Sequence, residues 1–247
     1  MLCQGAIAQE SDGEDFRIEL TAGLWRLNTT GQIQSGATPI DFELDFGVQN
    51  GRNTFSGKVV GKPARRHRIN FETVPYRLSG TNVLNRDFQF EGRTYHIQDT
   101  LHSEAKLTHL YGGYQYDFVS NPQGHVGIQG GAAYMDAQAS LRSEQAGISA
   151  TASQKLALPL VGGEFRAFVI PNSDILNVNG EVKGMSFGRY GRYFEVGAHV
   201  GLGFRYLTFQ AGYNYTDIDL KDEDPSNLVR IKPRFSGPIF SVQFRDR

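Results

Sequence analysis

Hydrophobic and polar residues alternate with a period of two along most of the chain, the mark of extended strands with one apolar and one polar face. The clearest case covers residues 193–217. Phe194, Val196, Ala198, Val200, Leu202, Phe204 and Tyr206 alternate with Tyr193, Glu195, Gly197, His199, Gly201, Gly203 and Arg205. After a tight reversal, Leu207, Phe209, Ala211, Tyr213 and Tyr215 alternate with Thr208, Gln210, Gly212, Asn214 and Thr216. The same pattern predicts strands over 16–24, 40–48, 66–76, 100–118, 156–169, 175–187 and 231–244, and another starting at His125. The count is ten antiparallel strands within a range of eight to twelve, and residues 86–99 read as a hairpin of their own or a folded loop. Pro75, Pro159 and Pro238 fall inside proposed strands, where each removes a ladder donor, so those strand limits are loose.

Alternation alone does not say which face meets water. A soluble β-barrel or sandwich that binds a hydrophobic ligand would bury Phe194, Val196, Val200, Phe209 and Tyr213 in one core, whereas a membrane barrel would turn them out to lipid. Three features favour the membrane barrel. The strands are about twice the ~5–6 residues usual in soluble domains, and a tilted strand crosses a bilayer in about 9–11. The polar face carries Gly127, Gly131, Gly197, Gly201, Gly203 and Gly212, which suit a crowded barrel interior better than a wet surface. Aromatics gather near strand ends, at Tyr114, Tyr116 and Phe118, at Tyr190 and Tyr193, at Phe204 and Tyr206, and at Tyr213 and Tyr215, as in interfacial girdles. The connections SNPQG, PNSD and FRYL are short and fall on one side, while the longer SEQAGISATAS and KDEDPSNL fall on the other. Residues 50–64 break that rule as a long connection on the short-turn side, and residues 188–192 as a short one opposite.

Composition narrows the picture. No run approaches the ~18 apolar residues of a spanning helix, which excludes a helical membrane protein. The formal net charge of −1 argues against nucleic acid as a partner. Near the start, Ala6-Ile7-Ala8 before Gln9 has the small-x-small form of a signal-peptidase site. Residues 1–8 therefore read as a signal-peptide remnant and residues 9–247 as a single barrel domain. Cys3, the only cysteine, either leaves with the remnant or serves as a lipoprotein cysteine. Without it the chain has no disulfide, thiolate metal site or cysteine nucleophile.

The last strand, FSGPIFSVQF, resembles the C-terminal strand by which bacterial outer-membrane β-barrel proteins are recognised for assembly. Gly237 is followed by Phe240, Val242 and Phe244 at alternating positions. The sequence departs from that pattern in two places, with Arg245-Asp246-Arg247 after the aromatic residue and Phe235 where a polar residue is expected. The resemblance implies a small, single-chain, polar-lumen barrel in the bacterial outer membrane. Its expected partners are outer-membrane lipids, lipopolysaccharide and the barrel-assembly machinery.

Inside a barrel of about ten strands, charges must pair with one another or meet trapped water. The expected lumen network is Arg17, Glu19, Glu164, Arg166, Glu181, Lys183, Glu195, His199 and Arg205. Such a network reads first as a plug, which assigns a structural or surface-interaction role; a narrow passive channel is the alternative. Arg189 and Arg192, beside Tyr190 and Tyr193, are candidate contacts for lipopolysaccharide phosphates, or simply snorkelling arginines. The six histidines give no catalytic pairing, since His102 and Ser103 point to opposite faces of a strand and His96 and Asp99 have no serine at a suggestive spacing. The acidic KDEDP stretch lacks a recognised calcium-loop spacing. No catalytic residue, metal or cofactor is assigned, and the chain does not read as an enzyme.

Overall fold

The computed structural model describes residues 14–35, 38–171, 173–188, 191–221 and 229–246. Strand β1 (Ile18–Ser35) is followed by the short β2 (Thr38–Asp41), then β3 (Arg52–Ala64) and β4 (His67–Val83). A small hairpin, β5 (Phe88–Phe90) and β6 (Arg93–Tyr95), precedes the three longest strands, β7 (Thr100–Asn121), β8 (Gly124–Ser143) and β9 (Ile148–Phe168). β10 (Leu176–Ser186), β11 (Gly191–Phe204), β12 (Leu207–Lys221) and β13 (Val229–Arg245) complete the chain.

Ten of these strands, β1, β3, β4 and β7 to β13, form one antiparallel wall. β13 pairs back on β1 from Glu19↔Arg245 to Ser35↔Val229, so the sheet closes into a barrel. Closure pairs the first wall strand with the last, and a closed ladder is what any β structure exposed to lipid requires. The apolar faces point out. Phe194, Val200, Phe209 and Tyr213 are 42, 50, 51 and 52% exposed, which overturns the soluble-core alternative. On the opposite face Gly127, Gly197, Gly201 and Gly212 stand against lumen side chains: a Cβ on Gly212 would lie 2.1 Å from His199 Cδ2.

The two ends differ. One, the turn end, carries both ends of the described wall and the short connections, Arg65-Arg66, Pro122-Gln123 and Arg205-Tyr206 among them. The other, the loop end, carries the segment between β1 and β3 and the β5–β6 hairpin, which is the independent hairpin that residues 86–99 suggested. Of SEQAGISATAS only residues 144–147 are a connection; Ile148 onward continues as β9, pairing with β8 up to Ser143↔Ile148.

The predicted count of ten stands, but one strand in it is different. Residues 40–48 are not a wall strand. Asp41 ends β2 by accepting hydrogen bonds from the amides of Glu43 (2.8 Å) and Leu44 (2.9 Å), a local turn that competes with the ladder. The chain then folds into the barrel, burying Phe42, Phe46 and Val48, and Ser103 Oγ donates to the Phe46 carbonyl at 2.5 Å. The missing wall strand is β3, in the stretch read as a long connection. Its outward Phe55 and Val59 are spaced by Gly57, and its inward face bears Lys58, so its alternation is faint. β3 and β4 pair only from Ala64↔His67 to Gly57↔Thr73; above that the inserted segment fills the seam through a Val48↔Gly80 bridge.

A second seam lies between β9 and β10. Their pairing runs from Asn177↔Phe168 to Gly184↔Val161 and stops there. Pro159, two residues beyond, has no N–H to donate, and residues 148–160 of β9 have no strand partner on that side among the described residues.

Candidate functional site: a two-tier lumen

The three tall strands show how the lumen is divided. In the half near the turn end, β9 points Val161 and Phe165 outward and Glu164 and Arg166 inward. Beyond Pro159 the faces exchange polarity: Lys155, Ser153 and Thr151 point outward, and Leu158, Leu156 and Ala152 inward. β8 does the same, with Ile128 out and Gln129 in below, then Gln138 and Arg142 out and Met135 and Leu141 in above. On β7 the lower pair is Tyr116 out and Gln115 in, and the upper pair is Lys106 out and Leu107 in. On these strands the outer face is apolar around a polar lumen in one half and polar around an apolar lumen in the other.

The lower tier is a continuous ion-pair network. Lys183 Nζ contacts Glu72, Glu181 Oε1 at 2.8 Å and Glu195 Oε1 at 3.5 Å. Lys58 Nζ contacts Glu181 at 2.7 Å, Glu164 at 2.9 Å and Glu72 at 3.3 Å, so two ammonium groups share four carboxylates. Nearer the turn end, Arg166 forms a bidentate pair with Glu19 (2.9 and 2.9 Å), and Arg245 Nε donates to the same carboxylate at 2.8 Å. Arg68 bridges Asp117 and Glu14, both at 2.6 Å. His125 lies 3.2 Å from Glu14 and 3.6 Å from Glu164, joining the two groups. The partners come from opposite walls, β3 to β9 and β4 to β10, so the network crosses the lumen. Phe16, ahead of β1, caps the turn end, with Lys62, Arg68 and Arg245 each 5.0 to 5.7 Å from its ring centroid. Within the network a polar cavity of about 110 Å³ remains. That is space for several waters.

An aromatic layer separates the tiers. Tyr76 stacks on Phe235 at 4.2 Å and meets Trp25 edge-on at 5.9 Å. Tyr193 stacks on His109 and donates to Glu195. Lys183 sits 4.4 Å from the Tyr111 ring centroid, linking the charges below to the rings above.

Of the nine residues expected in the lumen, seven point inward: Glu19, Glu164, Arg166, Glu181, Lys183, Glu195 and His199, the last 3.1 Å from Asn179 Oδ1. Arg17 and Arg205 do not. Arg17 precedes β1 and is exposed, and Arg205 occupies the β11–β12 turn with φ 57°, also exposed. Alternation holds only within a strand, and both residues lie outside one. Tyr193, read as part of the outer rim, is instead buried in the aromatic layer. Arg192 is exposed and paired with Asp217 at 2.9 Å, while Arg189, Tyr190, residues 1–8 and most of KDEDP lie outside the described residues. Phe240, Val242 and Phe244 form the outward face of β13. The sequence reading missed Glu14, Lys58, Arg68, Glu72, Asp117, His125 and Arg245 as network members. Glu14 precedes the wall and Arg245 is the last residue of β13, and the pattern gives no sign of cross-lumen partners.

The remaining histidines have ordinary neighbours: His67 with Tyr114, His96 with Asp87, and His102 with Thr81 and Glu144. Among the described residues no group of three or more histidine, cysteine or acidic side chains is placed to hold a metal.

Neither a family model nor a curated protein sequence matches the chain. Solved structures do. The outer membrane protease OmpT of Escherichia coli matches over 93% of this chain and 97% of its own, with a TM-score of 0.63 and 10% identity. The translocator domain of the autotransporter NalP from Neisseria meningitidis covers 95% of this chain and 91% of its own at a TM-score of 0.47 and 12% identity. Ail, the attachment invasion locus protein of Yersinia pestis, covers 91% and 99% at a TM-score of 0.36 and 10% identity. At such identities the likeness to OmpT is one of fold, and it extends over nearly the whole of both chains: this chain is built as a transmembrane β-barrel of the bacterial outer-membrane kind.

Proposed function

We propose that the chain is an integral outer-membrane barrel with a structural or surface-interaction role. In this reading the turn end faces the periplasm and the loop end projects from the cell. The observation that carries it is the exchange of polarity between wall faces at one level of β7, β8 and β9, where a lipid-facing belt gives way to a water-facing wall. Arg192 contributes by offering its guanidinium to lipopolysaccharide phosphates just above the belt, and β13 by presenting Gly237, Phe240, Val242 and Phe244 to the assembly machinery.

Single cysteines placed in a Cys3→Ser background test the orientation. A membrane-impermeant maleimide applied to intact cells is expected to label Ser153→Cys and not Val161→Cys. Equal labelling of both, or of neither, would reject the proposed embedding.

The same reading holds the barrel closed to ions, because Lys58 and Lys183 tie opposite walls together across the lumen. Purified protein in a planar bilayer is expected to stay silent at all voltages. Reproducible conductance steps would replace this role with that of a narrow passive channel.

A further inference from the structure

Above the aromatic layer the lumen does not pack solid. A cavity of about 340 Å³ lies between Phe42 of the inserted segment, Phe90 of the β5–β6 hairpin and the inner faces of the tall strands, represented by Leu107, Ala139, Ala152 and Leu156. Protein interiors leave few voids larger than a water molecule. Here the wall offers alanine at Ala105, Ala137, Ala139 and Ala152, side chains too short to reach the inserted segment. The stacked rings of Tyr76 and Phe235 border the space. Part of its lining, Ala152, Gln154 and Leu156, belongs to the stretch of β9 that has no partner on the β10 side among the described residues, so the cavity adjoins a seam in the wall.

Size and chemistry select the occupant. An apolar cavity of ~150 Å³ stays dry and admits benzene. About twice that volume suits a molecule of roughly ten to twelve carbons, near the lower limit of ordinary ligand sites. The cationic side chain in the lining is Lys106, whose ammonium is held by Glu104 at 2.8 Å on the outward face, and Glu91 adds a carboxylate. A carboxylate ligand would therefore be buried beside an acid without a counter-charge. We propose that this cavity binds one uncharged hydrophobic molecule of about that size. The inference needs the barrel but not the silent lumen, so a conducting protein would leave it standing.

Trp25 is the only tryptophan in the chain and touches Tyr76 at the border of the cavity, which provides the readout. Protein held in amphipol is titrated with 1-naphthylamine, an uncharged ten-carbon probe at neutral pH, while Trp25 emission is followed. Saturable quenching at one probe per chain is expected, with decanol displacing the probe at least about tenfold better than decanoate at neutral pH. Ala152→Phe and, separately, Ala139→Leu fill the space from two strands and should each weaken probe binding by about tenfold or more in protein that retains its folded electrophoretic mobility. Quenching that stays linear and is the same in every folded variant would mean partition into the amphipol and would overturn the site. Equal displacement by decanol and decanoate would overturn the uncharged class.

Discussion

Lys183→Met should destabilise the folded barrel by about 3–5 kcal/mol, the usual cost of removing one partner from a buried ion pair. Lys183 is fully buried and lies against Glu72, Glu181 and Glu195. Its removal leaves the four carboxylates around the two lysines with Lys58 alone, and Lys58 already serves three of them. Methionine replaces the volume, so the loss reports charge and not a cavity. Urea unfolding followed by Trp25 emission measures it. Combining Lys183→Met with Glu72→Gln removes the carboxylate closest to Lys183 and should recover part of the loss, the signature of an uncompensated charge. If Lys183→Met unfolded within about 0.5 kcal/mol of the parent, in the range of an ordinary surface change, the network would not be what holds the lower lumen together.

Gly237→Ala is the second large effect. Gly237 adopts φ +152°, and a Cβ there would stand 1.9 Å from the Arg26 carbonyl oxygen on the neighbouring strand β1. No rotamer relieves such a contact because a Cβ is fixed by the backbone; β1 and β13 must separate locally. The Trp25 indole, which donates to the Gly237 carbonyl at 3.1 Å, loses its partner in the same movement. Backbone strain of this kind costs on the order of 1–3 kcal/mol, and the lost buried hydrogen bond adds about another 1. Expected results are a lower folded fraction by gel mobility and a changed Trp25 emission, with the neighbouring Ser236→Ala as an unaffected control. A Gly237→Ala protein with the parent's yield and emission would show that the seam tolerates a side chain there.

Much of this architecture was legible because lipid and water impose opposite demands on adjacent residues. Phe194 and Glu195, or Val200 and His199, cannot exchange places without exposing charge to lipid, so the outward face and seven lumen side chains followed from alternation. What alternation does not carry is the partner. Lys58 meets Glu164 from a strand 106 residues away, and no local pattern encodes that register. Residues 40–48 alternate well, and Ile40, Phe42, Phe46 and Val48 face the barrel's own interior while Leu44 is exposed; the pattern cannot tell an inserted segment from a wall. The apolar upper tier left a usable trace: on β9 the polar set moves from Glu164 and Arg166 to Lys155, Ser153 and Thr151, a switch of face at Pro159. Reading every strand as one uninterrupted face hid it.

The pairing of β1 with β13 also sets the order of events during biogenesis. Glu19 and Arg245 lie 226 residues apart, and bringing two such points together in a flexible chain costs about 5 kcal/mol of closure entropy. Hairpins such as β7–β8 and β11–β12 can form from nearby residues at far smaller cost. The first strand must therefore wait for the last one, and until it arrives the chain exposes two bare edges beside an apolar wall. That interval is when aggregation competes with folding, so an escort is needed most just before the final strand docks.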